Sequence, residues 1–182
     1  MIRDKHIVIT GGAGFIGTHL ALRLAETNRL KLLDVNIESN VIRYTQLADH
    51  PNVELHQGDI CDSQFVEQAV AGADIVIHLA SILGVQKVID HARQTIDTIV
   101  LGTRNVLEAV SGNGHPVRLI NVSTSEIYGN TVVIGEQAPA SISASNDPRM
   151  SYSAAKLLGE HLAWAYHRDK GVEVVNVRPF NV

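Results

Sequence analysis

Apolar and polar positions follow one another along this chain in two distinct rhythms. Short runs rich in Val, Ile and Leu occur at His6–Thr10 and at residues 30–34, 53–56, 75–79, 119–123 and 172–177. Continuous apolar runs of this length suit strands buried on both faces of a parallel sheet. Longer stretches with helical spacing lie between them. One begins near Gly14, a weaker one covers residues 42–47, and a third runs from the N-cap residue Asp62 to Val70. A fourth spans residues 89–110, with apolar side chains at Ile89, Ala92, Ile96, Val100, Val106, Leu107 and Val110, and the last spans residues 152–167. The repeated strand–helix alternation predicts an α/β fold, a doubly wound parallel sheet with right-handed crossovers. Ligands of such sheets sit at the carboxyl ends of the strands. Residues 129–150 break the rhythm. They are rich in Ser, Ala, Asn, Pro and Gly, with a short β-like piece at 131–134, and their place after a strand end marks a substrate-side loop.

Composition narrows the picture without redirecting it. At 182 residues the chain is long enough for one domain with a sizeable core. Hydrophobic residues make up 45% of it and aromatics only 4%, so Ala, Val, Ile and Leu must pack that core. A net charge of -4 with scattered Lys and Arg offers no basic surface for nucleic acid or a membrane, and neither is an expected partner. No apolar stretch approaches the length of a membrane span, and residues 1–5 lead into the first strand without a signal-peptide core. Cys61 is the single cysteine, which excludes an internal disulfide and fits a reducing, cytoplasmic setting. No helix terminus or cationic cluster activates it, so it reads as a packing or surface residue and not as a nucleophile. The nine histidines show no zinc-site spacing, and no metal is expected.

The most specific signal follows the first strand, in Thr10-Gly11-Gly12-Ala13-Gly14-Phe15-Ile16-Gly17. Strand, glycine turn and helix are the setting of a nucleotide-phosphate cradle. Without side chains at Gly11 and Gly14, backbone N–H groups can approach a pyrophosphate, and the helix N-terminus adds partial positive charge. Gly17 is expected to let the helix pack closely on the strand. Asp34, at the end of the second strand, is placed to accept hydrogen bonds from an adenosine ribose. It would repel a 2′-phosphate and no arginine follows it, which favours NAD. Asp59 and Ile60, after the third strand, are candidates to hold the adenine. Small residues after His78 and Leu79 let the backbone pass close to a cofactor.

Two further groups carry chemistry. Tyr152 and Lys156 stand at i and i+4 and share a helix face. A phenol with an ordinary pKa near ~10 is a poor base, but an adjacent ammonium and a cationic nicotinamide favour the phenolate. Tyr152 then becomes a proton acceptor for a substrate hydroxyl. Taken alone, such a pair also occurs on exposed helices. The other group is Ser123-Thr124-Ser125-Glu126, just past a buried strand. A hydroxyl there can bond the oxygen that Tyr152 deprotonates, and Glu126 can act as a second acid or base.

The pieces Thr10 to Gly17, Asp34, Gly58-Asp59-Ile60, His78-Leu79-Ala80, Leu101-Gly102-Thr103, Ser123 to Gly129, Tyr152 with Lys156 and Arg178 to Asn181 span nearly the whole chain. In their order the sequence resembles the extended short-chain dehydrogenase/reductase family, the nucleotide-sugar epimerases and dehydratases. The resemblance implies a Rossmann domain over residues 1–182. It implies NAD held by Gly11, Gly14, Phe15, Ile16, Asp34, Asp59, Ile60, Leu79, Ala80, Tyr152 and Lys156. It implies Thr124, Glu126, Tyr152 and Lys156 as the catalytic set, with Tyr152 as base and Thr124 as its hydroxyl partner. Thr124, Ser125, Tyr152 and Asn181 would contact a nucleotide-sugar, a UDP-sugar by preference, and Phe180 would lie near the nicotinamide.

The implied reaction passes through a 4-keto sugar with internal hydride return. The Thr-Ser-Glu sequence looks like that of GDP-mannose 4,6-dehydratases and UDP-glucuronate decarboxylases, whereas dTDP-glucose 4,6-dehydratases usually carry Asp where Ser125 stands. Glu126 would remove a C5 proton, so dehydration is preferred. A decarboxylase or a simple 4-epimerase is the alternative, and a non-catalytic NAD sensor is the alternative of another class. Ile99 stands where relatives often have Asn. The helices at 89–110 and 152–167 correspond to those that pair across a two-fold axis in the family, which implies a homodimer. In the family, Arg-Pro-Phe-Asn-Val is followed by Tyr-Gly-Pro and a small C-terminal substrate domain. The expectation is therefore a cofactor domain without that substrate domain, which binds NAD and turns over sugar nucleotide poorly by itself.

Overall fold

Six parallel strands form one sheet in the computed structural model, which describes residues 2–129, 135–143 and 147–180. The strands are β1 (His6–Thr10), β2 (Arg29–Asp34), β3 (Val53–Gln57), β4 (Ile75–His78), β5 (Arg118–Val122) and β6 (Glu173–Val177). Each lies within a residue of the apolar run that predicts it. Their order is β3-β2-β1-β4-β5-β6. The chain thus reverses direction across the sheet between β1 and β4, and a crevice opens at their carboxyl ends. The β-like piece at 131–134 lies outside the described residues.

Strand β1 shows why the sheet is buried on both sides. Ile7, Val8 and Ile9 are all fully buried, and successive side chains point to opposite faces. Ile7 and Ile9 pack with Leu30 and Leu32 of β2 and with Ala21 of helix α1 (Phe15–Leu24). Val8 packs on the other face, with Leu33, Val76 and Leu119. That face is covered by Val66, Ala69 and Val70 of α3 (Ser63–Val70), by Val106, Leu107 and Val110 of α5 (Ala92–Ser111), and by Ala163 of α6 (Met150–Lys170). Each such burial of a Val, Leu or Ile contributes roughly 1.5–3 kcal/mol.

Local chemistry sets the helix ends. The Asp62 carboxylate accepts hydrogen bonds from the Gln64 and Phe65 amides at 3.0 and 3.2 Å, the predicted cap, which contributes about 1 kcal/mol to α3. Helix α6 closes on Gly171, whose φ of 72° supplies the left-handed turn of a C-terminal cap. Two expectations needed correction. The helical stretch at 42–47 is only one turn, α2 (Asn40–Arg43), followed by a short 3-10 turn at Leu47–Asp49. Thr45 ends it: its hydroxyl donates to the Ile42 carbonyl and accepts from the Leu47 amide, and so takes the place of helical bonds. The single helix expected at 89–110 is two, α4 (Val85–Asp90) and α5, parted at His91 with φ −129°. The Thr95 amide and hydroxyl both bond the His91 carbonyl and start α5 afresh. The buried stripe of α5 runs through Thr95, Ile99, Gly102 and Thr103, while Ile89 and Ile96 face solvent. Ile99 is thus a core residue.

Candidate active site

The carboxyl ends of β1, β4 and β5 surround a cavity of about 950 Å³. Gly11, Gly14, Phe15 and Ile16 line it from the β1 turn and α1, Leu79 and Ser81 from beyond β4, Thr124 and Glu126 from beyond β5, and Tyr152 and Lys156 from α6, with Phe180 after β6. Nine of the sequence-predicted residues therefore share one enclosure with Phe180.

The glycine turn owes its shape to close packing. Gly11 has φ 69°, and a Cβ there would stand 2.9 Å from the Ala80 amide nitrogen. Gly14 is conformationally ordinary, with φ −75°, and a Cβ there would meet only the Gly11 carbonyl oxygen, at 3.2 Å. Its missing side chain therefore keeps open the space before the α1 N-terminus. Gly17 corrects an expectation: a Cβ there would press on the Gly11 oxygen and the Gly12 Cα, so it packs on the turn, and Gly12 is the residue that approaches strand β2.

Buried polar groups brace this end. Thr10 Oγ1 accepts from the Ala80 amide at 3.2 Å and shares a 2.7 Å hydrogen bond with His78 Nδ1. His78 Nε2 lies 3.1 Å from Thr103 Oγ1. Burial, helped by the Lys156 charge, lowers the His78 pKa to about 3, so the ring is neutral and stitches β1, β4 and α5 together. Asp34 accepts from the Ala13 amide at 3.2 Å and the Asn36 amide at 3.1 Å, which ties it to the glycine turn. Asp59 accepts from the Cys61 amide, and the Ile60 side chain is buried in the core against Gly102. Asp34, Asp59, Ile60, Ala80 and Ser125 are not in the cavity wall, and Asn181 lies outside the described residues. Burial and the Asp59 carboxylate raise the Cys61 thiol to about 11, so it stays protonated.

The β5 end is a cluster of side chains. Thr124 Oγ1 caps the 3-10 turn Ser125–Tyr128 by accepting from the Glu126 amide at 3.2 Å. Glu126 accepts from the Ser153 hydroxyl at 3.2 Å. Lys156 is buried, and its Nζ donates to the Val122 carbonyl at 2.7 Å. Burial lowers its pKa to about 8. Lys156 Nζ stands over the Tyr152 ring, 6.0 Å from its centroid, while it donates to the Val122 carbonyl. Burial and then the Glu126 charge raise the Tyr152 pKa, and the neighbouring Thr124 and Ser81 hydroxyls oppose them.

Several residues of this end escaped sequence reasoning. Ser81 and Ser153 are ordinary serines beside recognised motifs. Arg178 forks onto the Glu160 carboxylate at 2.9 and 2.7 Å and donates to the Tyr128 hydroxyl at 2.7 Å. Burial disfavours the Glu160 charge, but those hydrogen bonds outweigh it and hold the Glu160 pKa low. This pair, with Glu160 buried and Arg178 partly buried, locks β6 to α6 and to the turn after β5, and its signal in the sequence is only a motif fragment.

Fold and cavity together define an extended short-chain dehydrogenase/reductase domain. The family model described as GDP-mannose 4,6 dehydratase matches residues 8–182, and the chain belongs to that family. It is 36% identical over 185 residues to a dTDP-glucose 4,6-dehydratase of Streptomyces niveus, a match covering 96% of this chain and 53% of that protein. It is 35% identical over 179 residues to a UDP-N-acetyl-alpha-D-glucosaminuronate decarboxylase of Bacillus cytotoxicus, covering 98% and 54%. Among solved structures, a dTDP-glucose 4,6-dehydratase from Bacillus anthracis in complex with NAD aligns with a TM-score of 0.77 at 27% identity, covering 96% of this chain and 54% of that one. The chain thus spans about half the length of the curated relatives it matches. Among the described residues, no helix is long and apolar enough to cross a membrane.

Proposed function

We propose that the protein is an NAD-dependent nucleotide-sugar epimerase/dehydratase that works through a 4-keto sugar. The observation that carries this reading is the meeting of Thr124, Glu126, Tyr152 and Lys156 with the bare glycine turn in one cavity. The residues fit a dinucleotide on two counts. Gly14 lines the cavity where backbone amides begin α1, which suits a pyrophosphate. The buried Lys156 ammonium has three donors and, among the described residues, one hydrogen bond, so donors remain for a ribose diol. Asp34, braced on the turn, would take the other ribose, and Asp59 and Ile60 the adenine. When bound, NAD supplies the acceptor for the hydride leaving sugar C4 and later gives it back.

The chain's own residues move protons. Tyr152 takes the proton of the C4 hydroxyl, while Thr124 bonds the same sugar oxygen. Glu126, exposed on the cavity wall and anchored by Ser153, removes the C5 proton as the C6 hydroxyl leaves. That carboxylate is why dehydration is favoured over epimerisation. A uronate decarboxylase is the second reading, supported by the Bacillus cytotoxicus relative. A UDP-sugar is the preferred substrate, and a lone cysteine fits the cytoplasm. Exposed Ile96, Leu101, Leu158 and Trp164 on α5 and α6 support a homodimer through those helices. Static light scattering tests that arrangement, and a monomer at all concentrations counts against it.

The activity is tested by incubating the full-length protein and NAD with UDP-, dTDP-, GDP- and CDP-sugars and weighing the products. Loss of water supports the dehydratase, loss of carbon dioxide the decarboxylase, and unchanged mass with inverted C4 the epimerase. A protein that binds NAD but alters no sugar would be a sensor, and the enzymatic reading would be abandoned.

A further inference from the structure

The turn after β3, residues 58–62, carries Asp59 and Ile60 and is pinned from two sides. On one side the Gly58 amide donates to the Asp34 carbonyl at 3.0 Å, which sets the turn beside the acid read as the ribose acceptor. On the other side stands helix α5. Gly102 leaves the room that the Ile60 side chain fills, and Asn105 Nδ2 donates to the Ile60 carbonyl at 2.9 Å and to the Cys61 carbonyl at 3.0 Å. An amide nitrogen carries two protons, so each carbonyl takes one. Within the turn Asp59 is exposed; its carboxylate accepts from the Cys61 amide at 2.9 Å and its carbonyl from the Asp62 amide at 3.0 Å. The Ile60 amide is left over, and among the described residues it donates to no acceptor.

A free N–H beside an exposed carboxylate offers one donor and one acceptor. Adenine presents the complement, a ring nitrogen that accepts and an exocyclic amine that donates. Such a pair reads a base only while its two members keep a fixed spacing. The bonds inside the turn fix Asp59, whereas the Ile60 peptide is held from outside, by α5. We propose that Asn105 is a positioning residue for adenine: by gripping the Ile60 and Cys61 carbonyls it fixes the angle at which the Ile60 amide meets the base, and with it the preference for adenine. This role rests on the reading of Asp59 and Ile60 as the adenine site, and gives that site a specificity-determining residue on a separate element. A residue that served the fold alone would brace the turn equally for any base.

No sugar is needed for the test. Full-length protein freed of NAD is titrated by calorimetry with NAD and with its hypoxanthine analogue, in which a carbonyl replaces the amine and the ring nitrogen carries a proton. Both hydrogen bonds are then mismatched, and the wild type should prefer NAD about tenfold or more. N105A should weaken NAD about tenfold and the analogue less than about threefold, so that most of the preference disappears. If N105A does not fold, N105S, which retains one donor, carries the test, and its preference should fall about threefold. A wild-type preference that survives in the variants, with both dinucleotides weakened equally, overturns the proposal: Asn105 then serves the fold alone and the adenine reading stands. A wild type that binds the two dinucleotides equally overturns the adenine reading of Asp59 and Ile60 itself, and the role of Asn105 with it.

Discussion

The two ends of the cavity are built on opposite plans. The β1 end is backbone: Gly11 and Gly14 contribute by lacking side chains, and Thr10 and His78 hold the turn from beneath. The β5 end is side chain: Thr124 and Glu126 beyond β5, Tyr152 and Lys156 on α6 and Ser81 beyond β4 come from three segments, and Glu126, Thr124 and Ser81 all bear on the charge of Tyr152. A backbone cradle depends on local shape. A side-chain cluster depends on burial and mutual electrostatics, which only packing creates. The first is suited to holding a charged ligand, the second to moving protons on it.

The sharpest way to separate the ends is Tyr152→Phe. Turnover by the full-length protein should fall about a thousandfold, as loss of a general base does, while NAD affinity by calorimetry stays within about threefold. Equal losses in both would dissolve the distinction between a holding end and a reacting end. Next is Lys156→Met. A lysine titrates near 10.5 when free and Lys156 near 8 when folded, so the unfolded chain binds more protons between these values. The penalty, about 3 kcal/mol, is in full force below pH 8 and fades as pH rises towards 10.5. Urea unfolding should therefore show wild-type stability rising from pH 8 to 10. The variant should be more stable at pH 7 and flat over that window, and a parallel rise in the variant would assign the trend to other groups.

The smallest expected effects test the glycine turn against itself. Gly11→Ala combines a left-handed φ with contact on the Ala80 amide, and should cost about 2 kcal/mol of stability as well as NAD binding. Gly14→Ala should leave the melting transition almost unchanged, within about 1 kcal/mol, but weaken NAD about tenfold or more by filling the open cradle. Loss of stability at both positions would make Gly14 part of the fold and not of the binding site.

What could be read from residue order alone was whatever the local chain dictates. The six strands, the Asp62 cap, the glycine turn and the Tyr152–Lys156 spacing all report interactions within a few residues. Periodicity then placed their ligand-facing ends together, because a doubly wound sheet leaves little freedom in where its strand ends point. The failures are equally physical. The break at His91 and the true core stripe of α5 depend on which face the sheet accepts, and Thr95 with Ile99 occupies it while Ile96 does not. The truncated helix at α2 turns on one threonine's choice of hydrogen bonds. The spacing of Tyr152 and Lys156 does not foretell the Val122 carbonyl, which three-dimensional packing brings to the lysine.

Residue order therefore settled the architecture and the identity of the chemical groups, since both rest on short-range propensity and the side-chain period. Only the tertiary structure decided their electrical state. Burial of Tyr152, Lys156 and His78, the reach of Glu126 and the unpaired hydroxyl of Ser81 all arise from desolvation and from distances between segments far apart in the chain. A charge responds to everything packed around it, and that environment does not exist until the sheet has assembled.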